Sequence, residues 1–345
     1  MNISSAKLKT LTATIFAAAG CSADEAARVA EHLVEANLVG HDSHGAIRIP
    51  TYIDWLLAGK VLANQSLHVV LESEAIAVVD GQYGLGQTIG ELAVRMGIDK
   101  AARHGVSVVA LRNAGHLGRI GDWPEMAARE GLLSLHFVNT SGMGMLVAPF
   151  GGIQRRLSAC PIAAGIPVRG GEPLMLDISM CTIAEGKIRV ALNKGVPVPD
   201  NCLIDSHGQP TNDPKVFYGT PPGAILPIAG HKGYGLGILA EVLAGALTGS
   251  SCTNPANASR LTNGMLSIYL DHERFLADED FSSELARFIA FVKDSEKVTA
   301  DGEILMPGEI EQRTKARRLR DGIELDETTW RQISDTCRKV NVPPT

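Results

Sequence analysis

The sequence predicts an α/β protein whose helical ends pack around a mixed α/β middle, and three observations carry that reading. Apolar residues recur at helical spacing near both ends. Between about residues 67 and 139, β-rich runs alternate with helical stretches, as in layered α/β proteins. No internal repeat or low-complexity linker interrupts the 345 residues, which are expected to form two or three packed units around one cleft. We place a helical part at 1–66 with 275–345 and an α/β part at 67–274.

Leu8, Leu11 and Ile15 fall on one helical face, and Gly20 supplies a stop. Ser22 and Glu25 form a capping-box pattern opening a second helix through Ala26, Val29, Leu33 and Leu38. The chain breaks at Gly40–Gly45, and a short helix follows Pro50 to end near Gly59. Strand-like runs lie at Leu67–Leu71, Ala75–Asp80, Val106–Arg112 and Leu132–Asn139, with helical stretches at Thr88–His104 and Asp122–Glu130. Residues 150–233, rich in Gly and Pro, predict short strands and turns. Gly235–Leu247 predicts a buried helix, since its small residues allow close packing. Helices at Ser282–Lys293 and Asp326–Val340 close the chain, and the two termini are expected to pack together.

Composition narrows the function. An apolar fraction of 45% and a charged fraction of 20% describe a soluble globular protein. The net charge of -6, without a Lys/Arg run, argues against nucleic acid or an anionic membrane as partner. An anionic ligand would need a local cationic pocket. The six cysteines (Cys21, Cys160, Cys181, Cys202, Cys252 and Cys337) are scattered without a CxxC pair, which fits reduced thiols in a cytoplasmic protein and no metal centre. Met1–Thr10 lacks a signal-peptide pattern. The longest apolar stretch, Gly235–Gly249, spans 15 residues and carries Glu241, short of the roughly 20 that cross a bilayer.

Four segments invite a chemical reading. Gly84-Leu85-Gly86-Gln87-Thr88-Ile89-Gly90 is spaced GxGxxxG, one residue longer than the dinucleotide fingerprint, and Arg112 stands where a ribose-binding acid would end the next strand. It reads as a turn that redirects the chain. His41-Asp42-Ser43-His44-Gly45, with Arg48 beyond, is the densest polar cluster. A metal site would want further ligands at defined spacing, and a serine hydrolase at Ser43 would want GxSxG, missed here by one residue. Asp42 or Ser43 capping the following turn explains those two residues but not His44 with Arg48. An imidazole that gives a proton and a guanidinium that grips a carboxylate suit reduction of a 2-oxo acid. His116, in Asn113–Gly121 at the carboxyl end of a strand, is a second candidate acid or base, or a plain surface histidine. Gly230–Gly235, with His231 and Lys232, is a phosphate cradle or an ordinary helix entry.

Together these segments resemble the malate/L-lactate dehydrogenase family, which is unrelated to the Rossmann lactate and malate dehydrogenases. The resemblance runs through GHDSHGAIRIP (40–50), NAGHLGRIG (113–121), VAPFGG (147–152), KGVPVPDNCLID (194–205), AGHKGYGL (229–236), NGMLSI (263–268) and MPGE (306–309). It implies the family's own non-Rossmann α/β fold, a nicotinamide cofactor (NAD, with NADP possible) and a small anionic 2-oxo or 2-hydroxy acid as substrate. It also implies a homodimer with active sites near the interface, the helical part serving substrate and dimerisation and the α/β part the cofactor. His44 and His116 would be the active-site histidines and Arg48 the carboxylate clamp. Cofactor contacts would fall on His44, Gly118, Arg119, Ile120, Met175, Leu176, Asp177, Ile178, Ser179, His231, Lys232, Asn263, Gly308, Glu309, Ile310 and Glu311.

The chain departs from the family where Ser158-Ala159-Cys160-Pro161 replaces Gly-Thr-Asn-Pro and Met180-Cys181 replaces Thr-Ser. Thr140-Ser141 stand where some members carry a catalytic lysine. Two rival classes remain open at this stage: a non-catalytic metabolite-binding homologue, and a serine hydrolase using Ser43.

Overall fold

The computed structural model describes residues 1–142, 144–257 and 260–343. Seven strands make the main sheet: β1 (His68–Glu72), β2 (Ile76–Asp80), β3 (Val106–Ala114), β4 (Leu133–Gly142), β5 (Ile162–Ile166), β6 (Leu174–Ile178) and β7 (Leu261–Leu270). Their spatial order is β1-β2-β3-β7-β4-β5-β6. The pair β2–β3 is parallel and every other pair antiparallel, which separates this sheet from the mostly parallel Rossmann type. The α/β expectation therefore holds in its non-Rossmann form.

The helices of eight or more residues are α1 (Ser5–Ala18), α2 (Ala23–Leu38), α3 (Ile49–Leu57), α4 (Gly86–His104), α5 (Asp122–Arg129), α6 (Glu185–Lys194), α7 (His231–Ala240), α8 (Asp278–Lys293), α9 (Glu309–Asp321) and α10 (Glu327–Lys339). The expected N-cap of α2 forms, with Ser22 Oγ accepting from the Glu25 N–H at 3.2 Å. The reciprocal half of the box does not, because the Glu25 carboxylate accepts from Asn64 N–H at 2.6 Å instead.

Two of the apolar cores position the site. Leu8, Leu11, Ile15, Phe16, Val29 and Leu33 pack with Tyr52 and Ile53 and with Ile323, Ile333 and Cys337, so the termini share one apolar cluster. Asn2–Ile3 pairs with Ile323–Glu324 in a two-stranded ribbon beside it. The second core lies on the sheet, where α4 and α5 cover Val79, Val109, Leu111 and Met265 with Ile89, Val94 and Trp123.

Two expectations need correction. α7 continues as a π-helical stretch, Glu241–Ala246, and the helix is not buried all round: Leu236, Leu239, Val242 and Leu247 stand 42–62% exposed. Small residues bury one stripe only. The central strand β7 and the helix α9 are absent from the periodicity reading. In β7, Gly264 interrupts the apolar run because a Cβ there would sit 2.0 Å from the Ala244 carbonyl oxygen of the π-helical stretch. α9 (EIEQRTKARRLRD) buries no residue and so carries no apolar period. No helix among the described residues is long and apolar enough to cross a membrane.

Candidate active site

The loop between α2 and α3 is fixed by Asn37, 1% exposed. Its amide donates to Asp42 Oδ1 at 2.6 Å, and its side-chain oxygen accepts from Ala46 N–H at 2.8 Å. From α9, Arg318 grips the Asp42 oxygens at 2.6 and 2.9 Å. Asp42 is thus a fastener between elements; neither it nor Ser43 caps the turn that follows. The loop thereby presents Ser43, His44 and Arg48. Ser43 Oγ lies 3.0 Å from His44 Nδ1, and the Ser43 carbonyl oxygen accepts from Arg48 Nε at 2.6 Å. Among the described residues Arg48 makes no ion pair, which leaves the outer fork of a half-buried guanidinium open.

His116 reaches the same place from the loop after β3. Its ring stacks on His44 with centroids 5.7 Å apart and planes at 11°. His116 Nδ1 lies 2.5 Å from the Tyr52 hydroxyl of α3. Gln87, in the first turn of α4, places Nε2 3.4 Å from that hydroxyl and 3.3 Å from the His116 carbonyl oxygen. The glycine-rich turn has its reason here: a Cβ on Gly86 would fall 2.1 Å from the His116 oxygen.

Burial first, and then the charge of Arg48, hold both imidazoles neutral: His116 falls to about 3 and His44 well below its ordinary range. Burial pushes the Tyr52 phenol up to about 12, so it stays protonated. Among the described residues the His44 ring hydrogen-bonds to the Ser43 hydroxyl and to no carboxylate, so no acid orients it as in a hydrolase triad.

The other site residues anticipated from sequence fall into three groups. Gly118, Arg119 and Ile120 are buried. The Arg119 guanidinium is engaged by Asp122 at 2.8 Å, Glu125 at 3.4 Å and Asp177 at 3.7 Å, so what this loop can offer a ligand is main chain. Asp177 Oδ2 also accepts from Gly121 N–H at 3.0 Å. The edge strand β6 runs beside the start of α9, since Met175 N–H donates to Pro307 oxygen at 3.0 Å. Met175 points inward, Leu176, Ile178 and Ile310 stand 36–61% exposed, and Ser179 Oγ lies 3.2 Å from Cys181 Sγ. Beyond Gly308, Glu309 accepts from Met306 N–H at 3.1 Å, and Glu311 lies 3.4 Å from His41 Nε2, which ties this rim to the His44 loop. Asn263 of β7 accepts from Leu117 N–H at 2.9 Å and donates to the Asn139 carbonyl at 2.9 Å and Thr140 Oγ1 at 3.0 Å, pinning the residue after His116. His231 and Lys232 open α7, both exposed; the His231 ring is edge-on to Phe150 at 5.9 Å. No hydrogen bond or ring contact among the described residues joins that pair to His44 or His116.

Sequence reasoning missed Asn37, Tyr52 and Gln87. Tyr52 lies one helical turn after Arg48 and Gln87 inside the glycine turn, so a polar group on an already singled-out segment was the available signal.

The malate/L-lactate dehydrogenase family model matches residues 3–334. The chain is 40% identical to hydroxycarboxylate dehydrogenase B of Escherichia coli K12 over 95% of this chain and 91% of that one. The solved sulfolactate dehydrogenase of Methanocaldococcus jannaschii superposes with a TM-score of 0.88 at 35% identity, covering 100% of this chain and 98% of that chain. The Δ1-piperideine-2-carboxylate reductase of Pseudomonas syringae pvar. tomato superposes with a TM-score of 0.84 at 30% identity, covering 97% and 99%. These relatives span the same length and share the same fold as the protein described here, which therefore belongs to the malate/L-lactate dehydrogenase family.

Proposed function

We propose that this chain is an NAD-dependent oxidoreductase interconverting a small 2-oxo acid and its 2-hydroxy acid, with NADP as the alternative cofactor. The observation that carries this reading is Arg48, a cation without an ion-pair partner among the described residues, set beside two stacked neutral imidazoles. Such a guanidinium grips a carboxylate through two parallel hydrogen bonds. His44 and His116 then flank the adjacent carbonyl, one polarising its oxygen and one exchanging a proton with it. The names of the relatives, hydroxycarboxylate and sulfolactate dehydrogenases, fit this chemistry.

The residues present fit a nicotinamide dinucleotide. Leu176, Ile178 and Ile310 give an outward apolar strip for flat rings, and Lys232 offers a cation for phosphate. Main-chain groups of Gly118–Ile120, Met175–Ser179 and Gly308–Glu311, with Asn263 and His231, would complete its holding. When bound, the nicotinamide supplies the hydride; this chain's side chains hold the acid, polarise its oxygen and manage the proton. We place the enzyme in the cytoplasm, in keeping with six free cysteines, and as a homodimer through the uncovered face of α7.

The test is loss of 340 nm absorbance with NADH and, separately, NADPH across pyruvate, oxaloacetate, 2-oxoglutarate, phenylpyruvate, hydroxypyruvate and a cyclic imine acid. Turnover of at least one is expected. Arg48→Lys should raise KM about ten- to a hundredfold, the loss of a bidentate charged pair of about 1.5–3 kcal/mol. Nucleotide binding without turnover would favour a metabolite-binding homologue. Silence with no nucleotide binding would sink the reading.

A further inference from the structure

We propose that Tyr52 is a positioning residue that, backed by Gln87, locks His116 as its Nε2–H tautomer, so that His116 is a fixed hydrogen-bond donor to the substrate oxygen and proton transfer falls to His44. The proposal rests on the oxidoreductase reading above for its chemistry, although the tautomer itself does not.

The argument is one of hydrogen-bond satisfaction. The His116 carbonyl oxygen can only accept, so the Gln87 amide atom 3.3 Å from it is the NH₂ group. The second hydrogen of that group is directed to the Tyr52 oxygen at 3.4 Å, which therefore accepts. The phenol hydrogen then needs an acceptor of its own. Among the described residues the one within reach is His116 Nδ1, at 2.5 Å. Tyr52 is 2% exposed, so bulk solvent does not reach it, and an orphaned hydroxyl would be costly there. With Nδ1 accepting, a neutral imidazole carries its hydrogen on Nε2.

His44 is held differently. Its Nδ1 faces the Ser43 hydroxyl at 3.0 Å, a group that both donates and accepts and so tolerates either tautomer. A residue that takes and returns a proton needs that freedom, whereas one that only polarises an oxygen does not. In the reductive direction, the substrate oxygen that gains the C–O electron pair takes its proton from the His44 imidazolium, which becomes neutral. Burial is the first influence that keeps His44 uncharged and Arg48 the second, and the substrate carboxylate against Arg48 offsets the second. His116 keeps its Nε2 hydrogen throughout.

Long-range ¹H–¹⁵N correlation spectra of the full chain labelled with ¹⁵N-histidine test this directly, with His116→Gln assigning the resonance. The wild-type protein should show a pyrrole-type Nε2 and a pyridine-type Nδ1 at His116. Tyr52→Phe, which keeps the ring packing, should give a mixture of tautomers, lower kcat about tenfold or more and leave KM within about twofold. Gln87→Leu should move both readouts in the same direction, less far, and stands in should Tyr52→Phe fail to fold. An Nδ1–H tautomer in the wild type would overturn the proposal, as would a folded Tyr52→Phe with unchanged tautomer and kcat. The spectra need neither substrate nor cofactor, so a failure of the oxidoreductase reading is separately visible.

Discussion

Cys160 adopts φ +43° at a fully buried position, a left-handed conformation that asparagine tolerates far better than cysteine. Its thiol is 3.4 Å from Glu241 Oε1, and Ser158 Oγ contacts the same carboxylate oxygen at 3.3 Å. The buried Glu241 also accepts from Asn139 Nδ2 at 3.1 Å and Thr253 N–H at 2.9 Å, without a cationic partner among the described residues. Cys160→Asn should relieve the backbone and supply a stronger donor to that carboxylate, raising the melting temperature in a thermal scan; a lower one would show that the pocket cannot take an amide. The family resemblance made this departure legible from sequence, but its meaning lay in a dihedral angle that no spacing reveals. His44 and Arg48 were legible because their chemistry is rare in one short run, and His116 because its glycine-flanked loop follows the carboxyl end of a strand. Tyr52 was not, since a buried aromatic at helical spacing reads as core until its hydroxyl is seen against Nδ1.

α2 is fastened to the sheet layer through a buried charge network. His32 Nδ1 lies 2.8 Å from Asp122 Oδ2, and Asp122 also receives Arg119 at 2.8 Å. Burial alone would lower the His32 pKa, but Asp122 and Glu91 overcome it and raise the imidazole to about 9. A group raised on folding contributes fully below its unfolded value of about 6.5, and its contribution is lost as pH rises through about 9. Urea midpoints should therefore fall between pH 6.5 and 9.5, and His32→Gln should flatten that window; an equally steep fall in the variant would remove His32 as the cause. Asp122 works at the other end, its depressed pKa giving stability that disappears in acid. Elements were readable where they carried an apolar period, as α2 and α4 do. β7 was lost to the glycine that admits the π-helical stretch, and α9 to a polar sequence tied down by pairs such as Arg318 with Asp42 and Lys315 with Glu35.

The same blind spot recurs at the size of the whole molecule. Residues 235–247 have the composition of a buried helix because they are apolar on more faces than the fold covers. Within the chain Ala240, Ala244 and Gly245 pack inward, while Leu236, Ile238, Leu239, Val242 and Leu247 remain 40–62% exposed. A contiguous apolar face of that kind on a protein with net charge -6 is a candidate contact surface. A second copy of the chain would resolve the mismatch between composition and burial. It would also place the start of the helix, with His231 and Lys232, at the edge of the interface. The 36.6 kDa chain should then sediment at twice its mass at micromolar concentration. The double substitution Leu239→Glu and Val242→Glu puts two carboxylates into that contact. It should yield monomers that keep the wild-type far-ultraviolet circular dichroism. A wild-type protein that sediments as a monomer under those conditions would show that the apolar face serves something other than self-association.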